Sequence, residues 1–342
     1  MPQQIDLTGR RVLVTGASGF LGSRTVAILS EQGCFVHALV RNTSRCDHLD
    51  LPNVTIFHGD IAEAESLISA FIGAEFVIHT AADTSGSEAG RRITIHGTKN
   101  ILALCKQFQV RKLVYISTCN VYAVADYTKD QTVTEKSALE RFPEKRGPYT
   151  HAKLEAEQLV TQAMDNGSVP IVCLRPGTIY GPGGNIYTPM MGFAMGNKFF
   201  AVIGDGRFVL PLVYVDNLVE AIVAAMKMNP GTNQIYNVVD PVEVTKRDFM
   251  ERVVKKLYPD SRAVCIPVGI LKIIVYLQEI FFWAMGRKPV LSMYRLNSSQ
   301  KPVRYDVSKL SDDLVWRPRV SVEAAFNKLI SYEKEKANFK RR

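Results

Sequence analysis

The feature that most constrains this chain is a short apolar run leading into three regularly spaced glycines. "RVLVT", residues 11–15, has the length and composition of a strand buried on both faces. Gly16, Gly19 and Gly22 follow it, and the helical pattern "SRTVAILSEQG" comes next. The first glycine permits a tight turn, the second lets backbone amides approach a pyrophosphate, and the third lets helix and strand pack closely. The segment therefore predicts a dinucleotide-binding turn.

Four further apolar runs continue this alternation of strand and helix. They are "FVHALV", "VTIFHGD", "EFVIHTAA" and "KLVYIST", and helical patterns separate most of them. Such repeats pair in parallel through right-handed crossovers. The sequence thus predicts an α/β fold, a Rossmann doubly wound parallel sheet with a smaller, mostly C-terminal α+β substrate lobe. We expect a dinucleotide-binding domain at 1–175 to which part of 213–240 returns, a substrate lobe at 176–330 and a basic tail at 331–342.

The residues after the second run bear on the choice of dinucleotide. An acidic side chain there would bond the adenosine ribose hydroxyls and repel a 2′-phosphate. This chain instead has "RNTSR", with Arg41, Asn42, Ser44 and Arg45 and no acidic residue. A guanidinium suits a phosphate and can stack on adenine. The sequence favours NADP(H), and NAD(H) is the alternative if Arg41 is simply an exposed residue after a strand.

A tyrosine precedes a lysine by four residues at three places: Tyr149 and Lys153, Tyr305 and Lys309, and Tyr332 and Lys336. Only the first pair opens a helical pattern, "YTHAKLEAEQLVTQAM", soon after the strand end that carries Ser117 and Thr118. Ligands of open α/β sheets bind at the carboxyl edge of the strands. Position therefore favours the first pair as an acid–base site, since the other two lie beyond the sheet-forming segments.

The chemistry of the first pair suits the interconversion of an alcohol and a ketone. That reaction needs a group that moves a proton at the substrate oxygen. Because a free phenol has a pKa of about 10, we expect Lys153 and an oxidised nicotinamide to lower the pKa of Tyr149. Thr118 would hold the substrate oxygen by a hydrogen bond. The alternative for Thr118 is a strand-end threonine satisfied by backbone groups.

The composition of the chain indicates its cellular compartment and the classes of partner that it could bind. The chain has 342 residues, a formal net charge of +9 and six cysteines. The cysteines are scattered without a CxxC pair, which predicts a reducing compartment and no metal site. The N-terminus has no apolar signal segment, so we expect a cytoplasmic protein. No basic helix or aromatic platform accompanies the charge, which argues against nucleic acid and favours cofactor phosphates or an anionic membrane surface.

Six motifs stand in the order typical of the extended short-chain dehydrogenases/reductases, a family that this chain resembles over residues 10–320. They are "TGASGFLG", "GDI", "HTAA", "YISTCNVY", "YTHAK" and "RPGTIYGPG". The resemblance implies a homodimer and a catalytic group of Thr118, Tyr149 and Lys153, with Lys153 on the nicotinamide ribose. The family usually has serine where this chain has Thr118.

The same resemblance implies where the dinucleotide lies. It places Asp60 and Ile61 near the adenine, and Ala81 and Ala82 toward the nicotinamide. The full set of expected dinucleotide contacts is Gly16, Ser18, Gly19, Phe20, Leu21, Gly22, Arg41, Asn42, Asp60, Ile61, Thr80, Ala81, Ala82, Ser117, Tyr149, Lys153, Pro176 and Ile179.

Two positions bear on the substrate. Nucleotide-sugar epimerases and dehydratases of the family often carry an asparagine where this chain has Thr178, and an Arg-Asp pair where it has Leu210 and Pro211. Neither Leu210 nor Pro211 can neutralise a phosphate. The C-terminal half resembles the 3β-hydroxysteroid dehydrogenase and sterol-4-carboxylate dehydrogenase-like branch, a pattern shared by bacterial reductases of long-chain 3-oxo acids.

We therefore expect an NAD(P)-dependent oxidoreductase that interconverts a secondary alcohol and a ketone. Its expected substrate is small and hydrophobic, sterol-like or long-chain 3-oxoacyl, with Tyr149 as general acid and base. The alternative is a nucleotide-sugar epimerase or dehydratase with tightly bound NAD. A regulator without catalysis would not need Thr118, Tyr149 and Lys153 together.

The second half contains two apolar segments. Residues 266–286 form a strongly apolar run that contains Lys272, Gln278 and Glu279. An ionic centre is costly in a membrane-spanning helix, which leaves a buried helix or an interfacial helix with peripheral membrane contact. The methionines and aromatic residues of 187–200 are expected mainly in the core, with some lining a cleft.

Overall fold

Parallel strands form the centre of the protein. The computed structural model describes residues 5–229, 232–287, 289 and 291–339. Its strands, in chain order, are β1 (Arg11–Thr15), β2 (Phe35–Val40), β3 (Val54–His58), β4 (Phe76–His79), β5 (Lys112–Ile116), β6 (Gln131–Val133), β7 (Ile171–Pro176), β8 (Thr178–Tyr180), β9 (Gly192–Met195), β10 (Phe199–Ile203), β11 (Val209–Leu210), β12 (Leu212–Tyr214), β13 (Gln234–Val238), β14 (Val244–Thr245), β15 (Arg262–Ile266) and β16 (Val303–Tyr305).

Helices connect most of the sheet strands. They are α1 (Phe20–Glu31), α2 (Ala64–Phe71), α3 (Glu88–Gln107), α4 (Pro143–Arg146), α5 (Pro148–Asp165), α6 (Val215–Lys227), α7 (Lys246–Phe249), α8 (Lys255–Leu257), α9 (Val268–Ala284), α10 (Met293–Gln300), α11 (Ser308–Asp313) and α12 (Val322–Phe339). Short 3₁₀ turns lie at Asp47–Leu49, Cys119–Val121 and Val124–Asp126, and a π-helical turn at Met250–Val254 joins α7 to α8.

The main sheet has seven strands in the order β13-β7-β5-β4-β1-β2-β3, and every neighbouring pair is parallel. The strand order reverses at β1, which pairs with β2 on one side and β4 on the other. Such a reversal opens a crevice at the carboxyl ends of the strands. The predicted Rossmann doubly wound fold is confirmed.

Alternate side chains of the sheet enter two apolar layers, as the strand period of two requires. Val12 and Val14 pack in the layer that contains residues of α1, α6 and α12, whereas Leu13 packs in the layer of α2, α3 and α5. The strand β13 returns to the edge of the sheet beside β7, within the segment 213–240. Helices therefore cover both faces and leave the carboxyl edge for the site.

The predicted basic tail at 331–342 begins inside a helix and is mostly exposed where it is described. One helix, α12, crosses the expected boundary and continues to Phe339. Its first turns bury Phe326 and Leu329 in the core. The described part of the predicted tail is thus the continuation of a docked helix, and residues 340–342 lie outside the described residues.

The smaller lobe contains the three-stranded sheet β15-β10-β9 and the helices α9 and α10. Its apolar segments are less buried than predicted. In α9 only Leu271 and Val275 are buried, which argues against the buried helix, one of the two alternatives for 266–286. In the 187–200 segment Met191 and Phe200 are buried, but Phe193 is exposed. Among the described residues, no helix is long and apolar enough to cross a membrane.

Candidate functional site

The glycine turn after β1 leaves no space for side chains. Gly16 has φ of +66°, and a Cβ there would lie 2.9 Å from the Cα of Ala81. A Cβ on Gly22 would lie 2.1 Å from the carbonyl oxygen of Gly16. No side chain caps the first turn of α1 at Gly19. A close backbone approach and uncapped helix amides are what a pyrophosphate requires, so the turn fits a dinucleotide.

A cavity of about 640 Å³ opens from this turn along the carboxyl edge of the sheet. The predicted contacts that line it are Gly16, Ser18, Gly19, Phe20, Leu21, Gly22, Arg41, Asp60, Ile61, Thr80, Ala81 and Ala82. Sequence reasoning did not assign Leu39, Val40, Ser44, Gly59, Asp83, Thr84, Ser85 and Ile93, which also line it. Most of these residues stand close in the sequence to residues that were predicted. This closeness is the only sequence signal that could have identified them.

Other expected dinucleotide contacts lie outside the lining of this cavity: Asn42, Ser117, Tyr149, Lys153, Pro176 and Ile179. The Ser117 hydroxyl donates to the carboxylate of Glu157, so it serves the protein interior. Pro176 ends β7 and Ile179 lies in β8. Direct contact between these residues and a dinucleotide stays a prediction.

Buried hydrogen bonds fix the cavity wall at residues 79–81. The Thr15 hydroxyl pairs with Nδ1 of His79 at 2.7 Å, and the Thr80 hydroxyl donates to the Thr15 carbonyl oxygen at 2.7 Å. Burial lowers the pKa of His79 to about 3, and Lys153 acts in the same direction. His79 is therefore neutral at physiological pH. The hydrogen bonds that fix this part of the cavity wall thus involve no charged histidine.

Thr118 and Tyr149 are hydrogen-bonded to each other. Thr118 follows the end of β5, and its hydroxyl oxygen accepts from the Asn120 amide at 3.2 Å. Burial raises the pKa of Tyr149, and a hydrogen bond with Thr118 acts the other way. We expected Lys153 to lower the pKa of Tyr149, but burial outweighs any such effect. A raised pKa keeps the phenol protonated at neutral pH, the form that can donate a proton to a ketone oxygen.

Lys153 lies one turn after Tyr149 on α5 and is only 4% exposed. Its ammonium donates to the Ile116 carbonyl oxygen at 2.8 Å, which ties α5 to the end of β5. Burial lowers the pKa of Lys153 to about 8, whereas Cys173 and Glu157 act the other way. A single carbonyl bond leaves further N–H groups of the ammonium for a ribose hydroxyl.

A buried ionic network underlies α5, and sequence reasoning missed it. The Glu157 carboxylate accepts from Nε of Arg175 at 3.0 Å and from the hydroxyl of Ser117. Arg175 also donates to the Tyr122 hydroxyl at 2.8 Å, and Tyr122 donates to Asn237 at 2.6 Å. The network joins β5, α5, β7 and β13, so it sets the position of the helix that carries Tyr149 and Lys153.

The two remaining tyrosine–lysine pairs lie elsewhere. Tyr305 is in β16, and the Lys309 ammonium donates to the Ile235 carbonyl oxygen. Tyr332 and Lys336 stack on each other in α12, where Tyr332 is 39% exposed. None of the three pairs lines the glycine-turn cavity, and Tyr305 lines a second pocket described below. The hydrogen bond of Tyr149 with Thr118 favours the first pair, whose catalytic role stays a prediction.

A second, narrow pocket of about 50 Å³ begins at Cys119 and Asn120, directly after Thr118. Apolar side chains form much of its lining, namely Val124, Met190, Phe208, Val209, Val303 and the ring of Tyr305. Two cations also line it. Arg146 is paired with Glu140 at 3.2 Å, whereas Lys301 has no ion pair with any described residue. The pocket therefore combines apolar side chains with one cation that has no ion pair among the described residues, and it begins directly after Thr118.

These features define a nicotinamide-dependent enzyme of the short-chain dehydrogenase/reductase type. The profile of the NAD dependent epimerase/dehydratase family matches residues 12–238. The chain belongs to this family and is one of its oxidoreductases.

Relatives with assigned activities resemble most of the chain. A 3beta-hydroxysteroid-dehydrogenase/decarboxylase of Arabidopsis thaliana is 25% identical and covers 96% of this chain and 81% of its own length. A 4-hydroxy-2-methyl-3-oxo-4-farnesyl-3,4-dihydroquinoline-1-oxide ketoreductase of Stigmatella aurantiaca is 28% identical over 83% of this chain and 85% of its own. The chain is thus similar to the 3β-hydroxysteroid dehydrogenase-like branch.

Solved structures show the same fold. The UDP-glucose 4-epimerase of Thermotoga maritima, solved with UDP-glucose, superimposes with a TM-score of 0.73. The two chains are 22% identical, and the match covers 96% of this chain and 99% of the epimerase. At this identity the likeness concerns the fold alone.

The glycine turn allows a direct test of the dinucleotide site. Gly22→Ala is expected to weaken NADPH binding by at least about tenfold, or about 1.4 kcal/mol, because its Cβ must displace the Gly16 carbonyl. Fluorescence titration measures the affinity. Gly269→Ala is the control, since a Cβ there meets nothing within 4 Å. Unchanged affinity in Gly22→Ala, with its fold intact by circular dichroism, would contradict the assignment.

Proposed function

We propose that the enzyme interconverts a secondary alcohol and a ketone on a small hydrophobic substrate, sterol-like or long-chain 3-oxoacyl, with NADP(H) as the preferred dinucleotide. The observation that supports the proposal is the hydrogen bond of Tyr149 with Thr118, which stands directly before Cys119 and Asn120 of the narrow pocket. A dinucleotide in the cavity and a ketone in the pocket would meet at these two hydroxyls.

The residues of the chain have separate parts in the proposed reaction. Tyr149 as the phenol donates a proton to the ketone oxygen in reduction, and its phenolate form accepts the proton from the alcohol in oxidation. Thr118 holds that oxygen by a hydrogen bond. Lys153 orients the ribose with the N–H groups that Ile116 leaves available. When bound, the nicotinamide supplies or accepts the hydride at the carbinol carbon.

The substrate class is supported by the pocket and by two relatives. Its lining includes apolar side chains, and the relatives are named as a 3beta-hydroxysteroid-dehydrogenase/decarboxylase and a ketoreductase of a farnesyl-bearing dihydroquinoline oxide. At about 50 Å³ the pocket is narrow, so its walls must move apart to admit a sterol or a long acyl chain. Lys301 would suit a carboxylate on such a substrate, as in a 3-oxo acid.

A nucleotide-sugar epimerase or dehydratase with tightly bound NAD is the second candidate, because Lys301 and Arg146 could also meet a diphosphate. Leu210 argues against it, since it is buried and carries no charge at the position expected for an arginine. Pro211 contributes only its carbonyl oxygen, which accepts from the Thr178 amide at 2.6 Å.

One turnover screen separates the two candidates. The purified protein is given 3-keto and 3-hydroxy sterols, 3-oxo acids and UDP-glucose, each with NADPH or NADH or with the oxidised forms. Net change in nicotinamide absorbance with the lipophilic substrates supports the proposal. Conversion of UDP-glucose without net change in absorbance, by protein that keeps NAD through purification, would overturn it.

The preference for NADP(H) rests on Arg41. It lies directly after β2, is exposed and lines the cavity, where a 2′-phosphate would meet its guanidinium. We expect Arg41→Ala to weaken NADPH binding by about tenfold, the loss of one charge-assisted bond, and to leave NADH binding within about twofold. Titration of both dinucleotides measures this difference.

Arg45→Ala is the matched control for that experiment, because Arg45 is exposed four residues later but does not line the cavity. It should leave both affinities unchanged. Equal affinities of the unaltered protein for NADPH and NADH would refute the role given to Arg41. Equal loss of both dinucleotides in Arg41→Ala would assign the arginine to adenine stacking instead.

Two expectations about partners and location also belong to the proposal. We propose a homodimer, as the family resemblance implies, and a cytoplasmic location, as the scattered cysteines without a CxxC pair favour. Sedimentation velocity of the purified protein would measure its mass, and a monomer at all accessible concentrations would contradict the dimer.

A further inference from the structure

The helix α9 exposes a large apolar side, although it turns two polar side chains toward the protein. Two of its polar side chains face inward. Gln278 donates to the Leu291 carbonyl oxygen at 2.7 Å, and the Glu279 carboxylate accepts from the Met293 amide at 2.9 Å. The exposed side carries large apolar residues at helical spacing, which we call the outer face of α9: Ile270, Ile273, Ile274, Leu277, Ile280 and Phe281.

The outer face is exposed to a degree that ordinary packing does not explain. Ile273 is 62% exposed, Leu277 59% and Phe281 60%. A surface helix in water normally turns its apolar side to the core and its polar side outward. Because six such side chains adjoin one another on successive turns, they form a contiguous patch and not scattered exposed residues. Patches of this kind mark a surface that another body covers.

The patch extends onto the three-stranded sheet beside α9. Ile203 of β10 packs with Leu271 and Val275, so its side of the sheet faces α9. Because alternate residues share a face, Ala201 and its ladder partners Phe193 and Val264 point to the same side as Ile203. Phe193 and Val264 are each 47% exposed. The apolar surface is therefore wider than one helix.

Cations and amphipathic aromatic residues surround the patch. Lys272, Tyr276 and Trp283 lie along one flank of α9, given 100° of rotation per residue. Arg262, on the same side of its strand as Val264, bonds through its amide to the carbonyl oxygen of Lys198 at 2.9 Å. The side chains of Lys198, Arg262, Lys272 and Arg287 are exposed and form no ion pair with any described residue.

We propose that the outer face of α9 and the adjoining sheet surface dock the protein on an anionic lipid bilayer, as a peripheral interface. Unpaired cations around an apolar face, with tyrosine and tryptophan at its edge, complement the headgroups and acyl boundary of such a bilayer. Leu271 and Val275 hold the other side of the 17-residue helix against the protein, so the helix would lie in the interface plane and not cross it. A second copy fits less well, because a two-fold contact would bring the same cations together.

The patch also lies close to the narrow pocket. α9 packs on α10, whose Ser298 and Ser299 line that pocket. A bilayer at α9 would thus lie one helix away from an apolar substrate site. This link to substrate supply rests on the proposed function, whereas docking on lipid does not.

Vesicle flotation of the purified full chain tests the proposal without reference to activity. We expect binding to vesicles of equal parts phosphatidylglycerol and phosphatidylcholine, and at least about tenfold weaker binding to phosphatidylcholine alone. The variant Leu277→Glu/Phe281→Glu should bind the mixed vesicles at least about tenfold more weakly. Both positions are exposed, so the fold should persist, and circular dichroism and thermal melting check it.

Ile68→Glu/Ile72→Glu is the matched control. Its two isoleucines are exposed, four residues apart at the end of α2, and the charge change is the same. It should bind vesicles like the unaltered protein. Failure of the unaltered protein to bind mixed vesicles, or equal loss in both double variants, would overturn the proposal. So would light scattering showing a dimer that only Leu277→Glu/Phe281→Glu dissociates, because a second copy would then cover the face.

Discussion

Tyr149→Phe is expected to lower kcat by about a thousandfold, within the usual range for loss of a general acid or base, and to leave dinucleotide affinity nearly unchanged. The phenylalanine ring keeps the shape of the side chain but removes the hydroxyl that bonds with Thr118. Proton transfer at the substrate oxygen then depends on water. Steady-state turnover of the substrate found in the screen, with NADPH titration of the same sample, measures both effects.

Tyr332→Phe is the control for this experiment. Tyr332 also stands four residues before a lysine, but it lies half-exposed in α12. The Tyr332→Phe variant should keep full turnover. That result would show that a tyrosine acts as the general acid because of its position in the fold and not because of its spacing from a lysine. A parallel loss of turnover and dinucleotide affinity in Tyr149→Phe would contradict the assignment, since it would mean that the site had collapsed.

The glycine turn could be predicted from the sequence because its determinants are local. Gly16 and Gly22 are six residues apart, and the contacts that forbid a side chain there involve the turn itself and Ala81. The strand before the turn and the helix after it have clear periods. The same applies to Tyr149 and Lys153, which one helix places at the carboxyl edge of the sheet.

The orientation of α9 could not be predicted from its composition. Hydrophobicity normally implies burial, and the polar Gln278 and Glu279 would then face water. The structure reverses this because both side chains satisfy backbone groups of 291–293. Those backbone partners have no signature in the sequence, since any residue supplies a carbonyl and most supply an amide.

The ion pair of Glu157 and Arg175 could not be predicted from the sequence either. Glu157 continues the helix after Lys153, where a glutamate is ordinary on an exposed face, and Arg175 lies 18 residues later in β7. Only the packing of α5 against the sheet brings them together and buries both, at 1% and 2% exposure. A charged residue next to the end of the apolar strand "IVCLRP" was the one available sign.

Glu157→Ala is expected to lower the free energy of unfolding by about 3–5 kcal/mol, the cost of leaving one member of a buried ion pair without its partner. The Arg175 guanidinium would keep its bond to Tyr122 but lose its only carboxylate among the described residues. Unfolding by guanidinium chloride, followed by circular dichroism, measures the change in the free energy of unfolding. Glu155→Ala is the matched control on the same helix, and its partly exposed pair with Arg91 should be worth less than about 1 kcal/mol.

The double variant Glu157→Leu/Arg175→Met identifies the cause of that loss. Replacing both members of a buried pair by apolar groups of similar volume is often nearly neutral, so the double variant should be markedly more stable than Glu157→Ala. If it is equally unstable, the unpaired charge is not the cause. The loss would then reside in the hydrogen bonds to Ser117 and Tyr122, and the network would hold α5 in place through those bonds and not through its charges.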